Sequence, residues 1–109
     1  MSDIKNLGSA ITSNSDGSDV TITWNGDRAL ARINAYGTFD TATVTGQIQI
    51  PGTSTYATIE DINGNGVTFT AAGVGQAFYI CNGDVVRVNV SSVGGSTSVS
   101  ADIQKIGKA

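Results

Sequence analysis

From Val20 onward, the chain alternates apolar and polar residues with a period of two. In the first clear run, Val20 to Trp24, apolar side chains alternate with two threonines. Such alternation is typical of a strand with one buried and one exposed face. Similar runs follow, separated by Gly, Asn and Pro turn signals. The pattern predicts about eight short strands, at residues 20–24, 28–36, 42–50, 55–62, 67–70, 77–81, 85–90 and 99–103.

These strands need a partner layer, because a single sheet would leave one alternating apolar face in water. With no convincing helix available to cover that face, the sequence predicts an all-β fold. We expect an antiparallel two-sheet β-sandwich or jelly roll over residues 18–109. Trp24 shares the strand phase of Ile22, which favours core packing over a sugar-stacking platform. The residues predicted to fill the core are Ile22, Trp24, Val44, Ile48, Val86, Val88 and Val99.

Residues 1–17 do not follow the period of two, and we expect them to form an N-terminal arm. Ile4, Leu7 and Ile11 have the spacing of one helical face, but Gly8 and the polar residues after Ile11 give a helix little support. The arm is therefore expected to be mobile in an isolated monomer and ordered against a neighbouring subunit. Ile4, Leu7 and Ile11 would be its partner-binding residues, and deletion of residues 1–17 would leave the sandwich folded.

Length and charge narrow the classes of partner. The 109 residues fit one domain, and a hydrophobic content of 39% argues against disorder although only 14% of residues are charged. The formal net charge is −3 and the six Lys and Arg residues are scattered along the sequence, which predicts no nucleic-acid partner. Residues 1–5 lack the apolar core of a signal peptide, and no run approaches the ~20 apolar residues of a membrane span. We therefore expect no membrane partner.

The chain contains one partial metal motif. Asp61 to Gly66 matches the first half of a calcium loop, but its twelfth position, where a bidentate Glu belongs, is Ala72. A β-hairpin turn is the preferred interpretation of this stretch, and a weak calcium site is the alternative. We predict no metal and no cofactor.

Candidate catalytic residues are also poorly supported. The chain has no histidine, so its serines and threonines lack the usual general base. The carboxylates of Glu60, Asp61 and Asp84 lie in or beside predicted turns, where solvation accounts for them. We predict no catalytic residues and no enzymatic activity.

One cysteine and two adjacent aromatic residues share the run 77–81. Cys81 is the single cysteine, which excludes an intrachain disulfide, and its apolar neighbours predict a buried or half-buried thiol. Phe78 and Tyr79 are consecutive on a predicted strand, so one ring should point out of the sandwich. That ring would be available to a ligand or to a subunit interface.

Two longer stretches carry a resemblance to a known kind of protein. Tyr36 to Val44 contains the pattern G-x-F-x-x-A-T-V at the start of a strand. Gly83 to Val90 contains R-V-x-V, and Gly95 to Ile103 follows it with G-S-T-S-V-x-A-x-I. Together these stretches resemble small β-sandwich virion structural proteins of tailed phages, of the capsid decoration (cement) type.

The resemblance implies a non-enzymatic part of the virion. The leading hypothesis is a capsid decoration subunit that binds the head surface and stabilises the shell. A tail, neck or head-fibre component, or a carbohydrate- or receptor-binding module, is the alternative. The implied partners are the major capsid protein or other virion proteins. The resemblance also implies a homo-oligomer, for which we expect a trimer. The implied location is the virion, assembled in the host cytoplasm.

The positions that carry the resemblance maintain the fold, so the resemblance assigns no functional residue to this chain. The sequence departs from better-known members of this group in two ways. It shows no basic surface, and its N-terminal arm is unusually polar.

Overall fold

The computed structural model describes residues 4–24 and 28–108, with the backbone alone for Lys108. In these ranges every regular element is a strand, which confirms the predicted all-β class. The strands are β1 (Ile4–Ile11), β2 (Ser15–Asp16), β3 (Val20–Thr21), β4 (Arg28–Thr38), β5 (Thr43–Gln49), β6 (Tyr56–Thr58), β7 (Thr68–Phe69), β8 (Gly73–Val74), β9 (Phe78–Cys81), β10 (Val85–Ser91) and β11 (Ser98–Lys108). None of the described elements is a helix long and apolar enough to cross a membrane.

The strands form two antiparallel sheets. In the first sheet the order is β1-β11-β4, with β8 and β9 pairing along the far edge of β4. In the second sheet β2 and β3 pair along one edge of β10, β5 lies on its other side, and β6 and β7 pair with β5. The two sheets pack together, so the predicted sandwich is confirmed.

The inner faces carry the core that the alternation predicts. Six of the seven predicted core residues are at most 3% exposed, and Ile48 is partly buried against them. The burial of Trp24 confirms the interpretation of its indole as a core group. The sheets come very close at Gly46 on β5, where an added Cβ would lie 2.7 Å from Ile33 Cδ1 on β4. A Cβ at this position would therefore require the end of the Ile33 side chain to shift within a densely packed interior.

The expectation of an N-terminal arm is wrong for residues 4–17. β1 is an edge strand of the first sheet, paired with β11, and β2 pairs with β10 in the second sheet. Leu7 is fully buried in the core, whereas Ile4 is exposed and Ile11 is partly buried. The three residues therefore do not form one partner-binding stripe. Residues 1–3 lie outside the described ranges.

Bulges explain why the sequence pattern suggested a helical face. The pairing of β1 with β11 shifts register between Asn6 and Gly8 and again between Gly8 and Ile11. Each extra residue in a bulge changes the face to which the following side chains point. The three- and four-residue spacing of Ile4, Leu7 and Ile11 therefore belongs to a bulged strand.

Gly17 joins the N-terminal segment to both sheets. Its amide donates to the Val88 carbonyl at 2.7 Å, and the amide of Ser18 donates to the Leu7 carbonyl at 2.9 Å. An added Cβ on Gly17 would lie 2.1 Å from the Leu7 oxygen, which only a glycine avoids. The domain boundary predicted after residue 17 thus falls inside a hydrogen-bonded crossing between the sheets.

Leu7→Ala should lower the free energy of unfolding by about 2–4 kcal/mol, because it leaves a cavity in the core. Thr12→Ala, in an exposed connection of the same segment, is the matched control and should change stability by less than about 0.5 kcal/mol. Urea denaturation followed by tryptophan fluorescence measures both values. Equal stabilities for the two variants would mean that β1 does not pack into the core.

Val88→Asp should destabilise the protein by several kcal/mol, because it places an unpaired carboxylate at a fully buried position. Thr45→Asp, on the outward phase of β5, provides the control for an added negative charge on a neighbouring strand. Circular dichroism of both variants, with a thermal melt, measures the difference. A folded Val88→Asp protein of unchanged melting temperature would contradict the assigned strand phase.

Candidate functional site on the first sheet

The outer faces of the two sheets differ in exposed apolar groups. Among the described residues, no large apolar side chain on the strands of the second sheet reaches the exposure seen on the first. Exposed apolar side chains on an otherwise polar sheet mark a candidate interaction surface. The large hydrophobic residues exposed on strands of the first sheet are Ile4, Tyr36, Val74, Tyr79 and Ile106.

Positive charge is concentrated on the same sheet. Five of the six basic residues of the chain lie on the three adjacent strands β1, β11 and β4. They are Lys5, Arg28, Arg32, Lys105 and Lys108. Strand register divides them between two phases. Arg28 and Arg32 lie on the outward phase of β4, whereas the three lysines are in register with the core residues Ile103, Ala31 and Ala29. Asp102 is the one described acidic residue on these strands. Strand pairing thus brings the cations to one sheet, and the outer face of that sheet carries Arg28 and Arg32 together with Asp102.

The strands β1, β11 and β4 remain more positive than the rest of the chain when the acidic residues outside the described ranges are included. Asp3 and Asp27 adjoin these strands in the sequence, and counting both against the cluster still leaves a formal charge of +2. The rest of the chain then carries −5, made up of Arg87 and six acidic residues, which accounts for the net charge of −3. We call the outer surface of β1, β11, β4 and β9 that carries Arg28, Arg32 and Tyr79 the basic face.

A row of polar side chains crosses the basic face. Arg32 Nε donates to Gln104 Oε1 at 3.1 Å, and Asn34 Nδ2 donates to Asp102 Oδ1 at 3.1 Å and to Gln104 Oε1 at 3.3 Å. Amide groups thus hold Arg32 and Asp102 in place without pairing them directly. The ion pair found among the described residues joins Arg87 to Asp16 on the second sheet, so the charge of Arg32 is not neutralised by a carboxylate of the described chain.

Arg28 is organised by an aromatic ring. Its guanidinium carbon lies 4.8 Å from the centre of the Tyr79 ring, within the range of a cation–π contact. Tyr79 is 57% exposed and Phe78 is 1% exposed, which confirms that one ring of this pair points outward. The contact orients the cation on the surface and leaves the ring accessible.

Cys81 lies on the same outward phase as Tyr79. The side chains of β9 alternate between buried and exposed, and the free thiol of Cys81 is exposed. The prediction of a buried or half-buried thiol is wrong, because the apolar character of the run 77–81 comes from its inward-facing residues.

Arg87, on the outer face of the second sheet, is by contrast fully engaged within the chain. It forms an ion pair with Asp16 at 3.1 Å, donates through Nε to Gln47 Oε1 at 2.8 Å, and stacks 3.7 Å from the centre of the Tyr56 ring. Partial burial, and then a hydrogen bond to Asp19, raise the pKa of Tyr56 above its ordinary value, so this phenol stays neutral. We interpret this group as a clamp that holds β2 and β6 to the sheet.

The partial calcium motif forms a tight turn. Asp61 Oδ1 accepts the amides of Asn63 at 2.8 Å and Asn65 at 3.1 Å, and the Asp61 amide donates to the Asn65 carbonyl at 2.8 Å. An Asp whose side chain caps its own turn needs no ion to explain it. No cluster of three metal-ligating side chains occurs in the described ranges. The turn interpretation accounts for this loop, and the absence of a metal requirement stays a prediction.

Part of the basic face had a signal in the sequence. Arg28 and Arg32 are four residues apart on one predicted strand, so they share a phase with each other and with Tyr36. The hydrogen bonds of Arg32 and Asn34 to residues of β11 had no such signal. They depend on the pairing of β4 with β11, which local periodicity does not encode.

Arg87→Met should lower the free energy of unfolding by about 1–2 kcal/mol, because it removes the ion pair, the hydrogen bond to Gln47 and the ring contact together. Arg32→Met should change stability by less than about 0.5 kcal/mol, because its charge has no carboxylate partner among the described residues. Urea denaturation of the two variants measures the contrast. A larger loss for Arg32→Met would assign the structural role to the basic face instead.

Comparisons of this chain with protein-family models, with curated proteins and with solved structures found no match.

Proposed function

We propose that this protein is a structural subunit of a tailed-phage virion, of the capsid decoration type, which binds the head surface and stabilises the shell. The observation that carries the proposal is the position of the two stretches with phage-protein resemblance. They meet at one end of the sandwich, where the chain crosses from β4 to β5 and again from β10 to β11.

Side chains of each crossing bond to the other. Thr97 Oγ1 donates to the Phe39 carbonyl at 2.9 Å across 58 residues of sequence, and the Ser96 amide donates to Asp40 Oδ2 at 3.1 Å. Thr41 Oγ1 donates to the Ser92 carbonyl at 2.7 Å. The resemblance therefore covers one contiguous corner of the fold rather than two unrelated strand patterns, and this supports a common structural origin.

The surface chemistry suits attachment on one side. The basic face combines exposed tyrosines, arginines and amides, which are groups enriched in protein interfaces. On the outer face of the second sheet, the one arginine is Arg87, and it is engaged in contacts within the chain. A subunit that lies on a shell needs one face that binds the shell and one face in solvent. The outer faces of the first and second sheets suit these two roles.

A carbohydrate- or receptor-binding module is the second candidate, because Tyr36 and Tyr79 are both exposed on the first sheet. Tyr79 lies opposite Leu30, six residues from Tyr36 along β4, so the two rings stand about 20 Å apart. That separation suits an extended partner better than one sugar ring. A glycan array probed with the native protein and with Tyr79→Ala tests this candidate, which requires binding that the substitution removes.

Particles made from the encoding genome provide the test of the virion proposal. Purified particles should contain this protein at a copy number of the same order as the major capsid protein, measured by quantitative mass spectrometry. Particles from a gene deletion should lose shell stability and regain it when purified protein is added back. Absence from particles would overturn the proposal, and a handful of copies per particle would assign the protein to the tail, the neck or a fibre.

A further inference from the structure

We infer that the basic face docks onto an acidic protein surface of the virion shell. This inference rests on the proposed function and specifies the chemistry of its partner. It starts from the outward-facing cations of this sheet, Arg28 and Arg32, which outnumber Asp102, the one described carboxylate on that face. Complementary potentials steer association and select partners, so a face of this sign favours an acidic one.

Pairing of this face with the same face of a second copy is disfavoured. A two-fold interface places identical patches against each other, and here it would oppose Arg28 and Arg32 with their own copies. Asp102 is the one described carboxylate on these strands that could offset the repulsion, and it already accepts a hydrogen bond from Asn34. The partner must therefore supply the negative charge.

The cations are organised for an external partner. Arg32 is held by Gln104, and Arg28 lies over Tyr79, so both guanidinium groups have fixed positions on the surface. Neither forms an ion pair with a described carboxylate. A planar guanidinium that is already positioned loses less side-chain entropy when a carboxylate binds it.

The apolar groups favour a protein over a nucleic acid. Exposed Ile106 belongs to β11 and exposed Tyr79 to β9, which pairs with β4, and such side chains contribute to an interface by burying area. A phosphate backbone would gain little from an exposed isoleucine and would be repelled by Asp102. Both features suit an acidic protein surface with apolar groups among its carboxylates.

Particles from the gene deletion are the probe. We expect native protein to bind them in a co-sedimentation assay, and a rise from about 50 mM to about 500 mM NaCl to weaken binding by shortening the Debye length. Arg28→Gln combined with Arg32→Gln should weaken binding about tenfold or more. Thr12→Glu combined with Thr70→Glu changes the net charge by the same amount at exposed positions elsewhere and should bind within about twofold of native protein. Urea denaturation checks that both double variants are folded.

The outcomes separate the inference from the proposed function. Failure of native protein to bind the deletion particles would overturn the proposed function. Binding that is insensitive to salt and equal for the two double variants would overturn the acidic-partner inference while leaving the function in place. Equally tight binding to a short single-stranded DNA would assign the face to a polyanion and overturn the inference. Salt-dependent self-association, measured by analytical ultracentrifugation and lost in the arginine variant, would show that the basic face binds an acidic surface of a second copy of this chain. That result would also overturn the inference.

Discussion

Gly46 and the Ile33 side chain meet in the contact between the two inner faces, where an added Cβ would lie 2.7 Å from Ile33 Cδ1. Close packing of the inner faces is the main source of stability in such a sandwich, since each strand buries one face and leaves the other in water. At this point a residue without a side chain on one sheet faces a branched side chain on the other. A larger residue at Gly46 would force the side chains of Ile33 and Val67 to move, which is the usual source of the cost of overpacking.

The strand phases were predictable because the sheets impose them. On β10, Val86, Val88 and Val90 are buried and the residues between them are half-buried, as the alternation indicates. The same reasoning failed for β1, where two bulges interrupt the period, and it missed β8, which has two residues and includes a glycine. Local periodicity therefore misses a strand that is bulged, and also a short strand that lies in a Gly-rich stretch without alternating residues.

Side-chain environments were less predictable than strands. Cys81 was expected to be buried because its neighbours are apolar, yet its phase places it outside. For Arg87, the sequence showed neither the contact with Tyr56 nor that with Asp16, because both depend on the register between strands distant in the chain. Composition describes a segment as a whole, whereas the role of each side chain depends on the pairing of that segment.

The arginines of the basic face lie outside the stretches that support the resemblance. Thr97 and Asp40 belong to the corner, where their bonds to the opposite crossing maintain the fold. Arg28 and Arg32 lie outside the matched stretches, at positions where the fold requires only an outward-facing side chain. A fold can therefore be shared while the partner differs, because substitutions on an outer face change binding at little cost to stability. The chemistry of the proposed partner therefore rests on this chain's own outer face, where Arg28 and Arg32 outnumber Asp102.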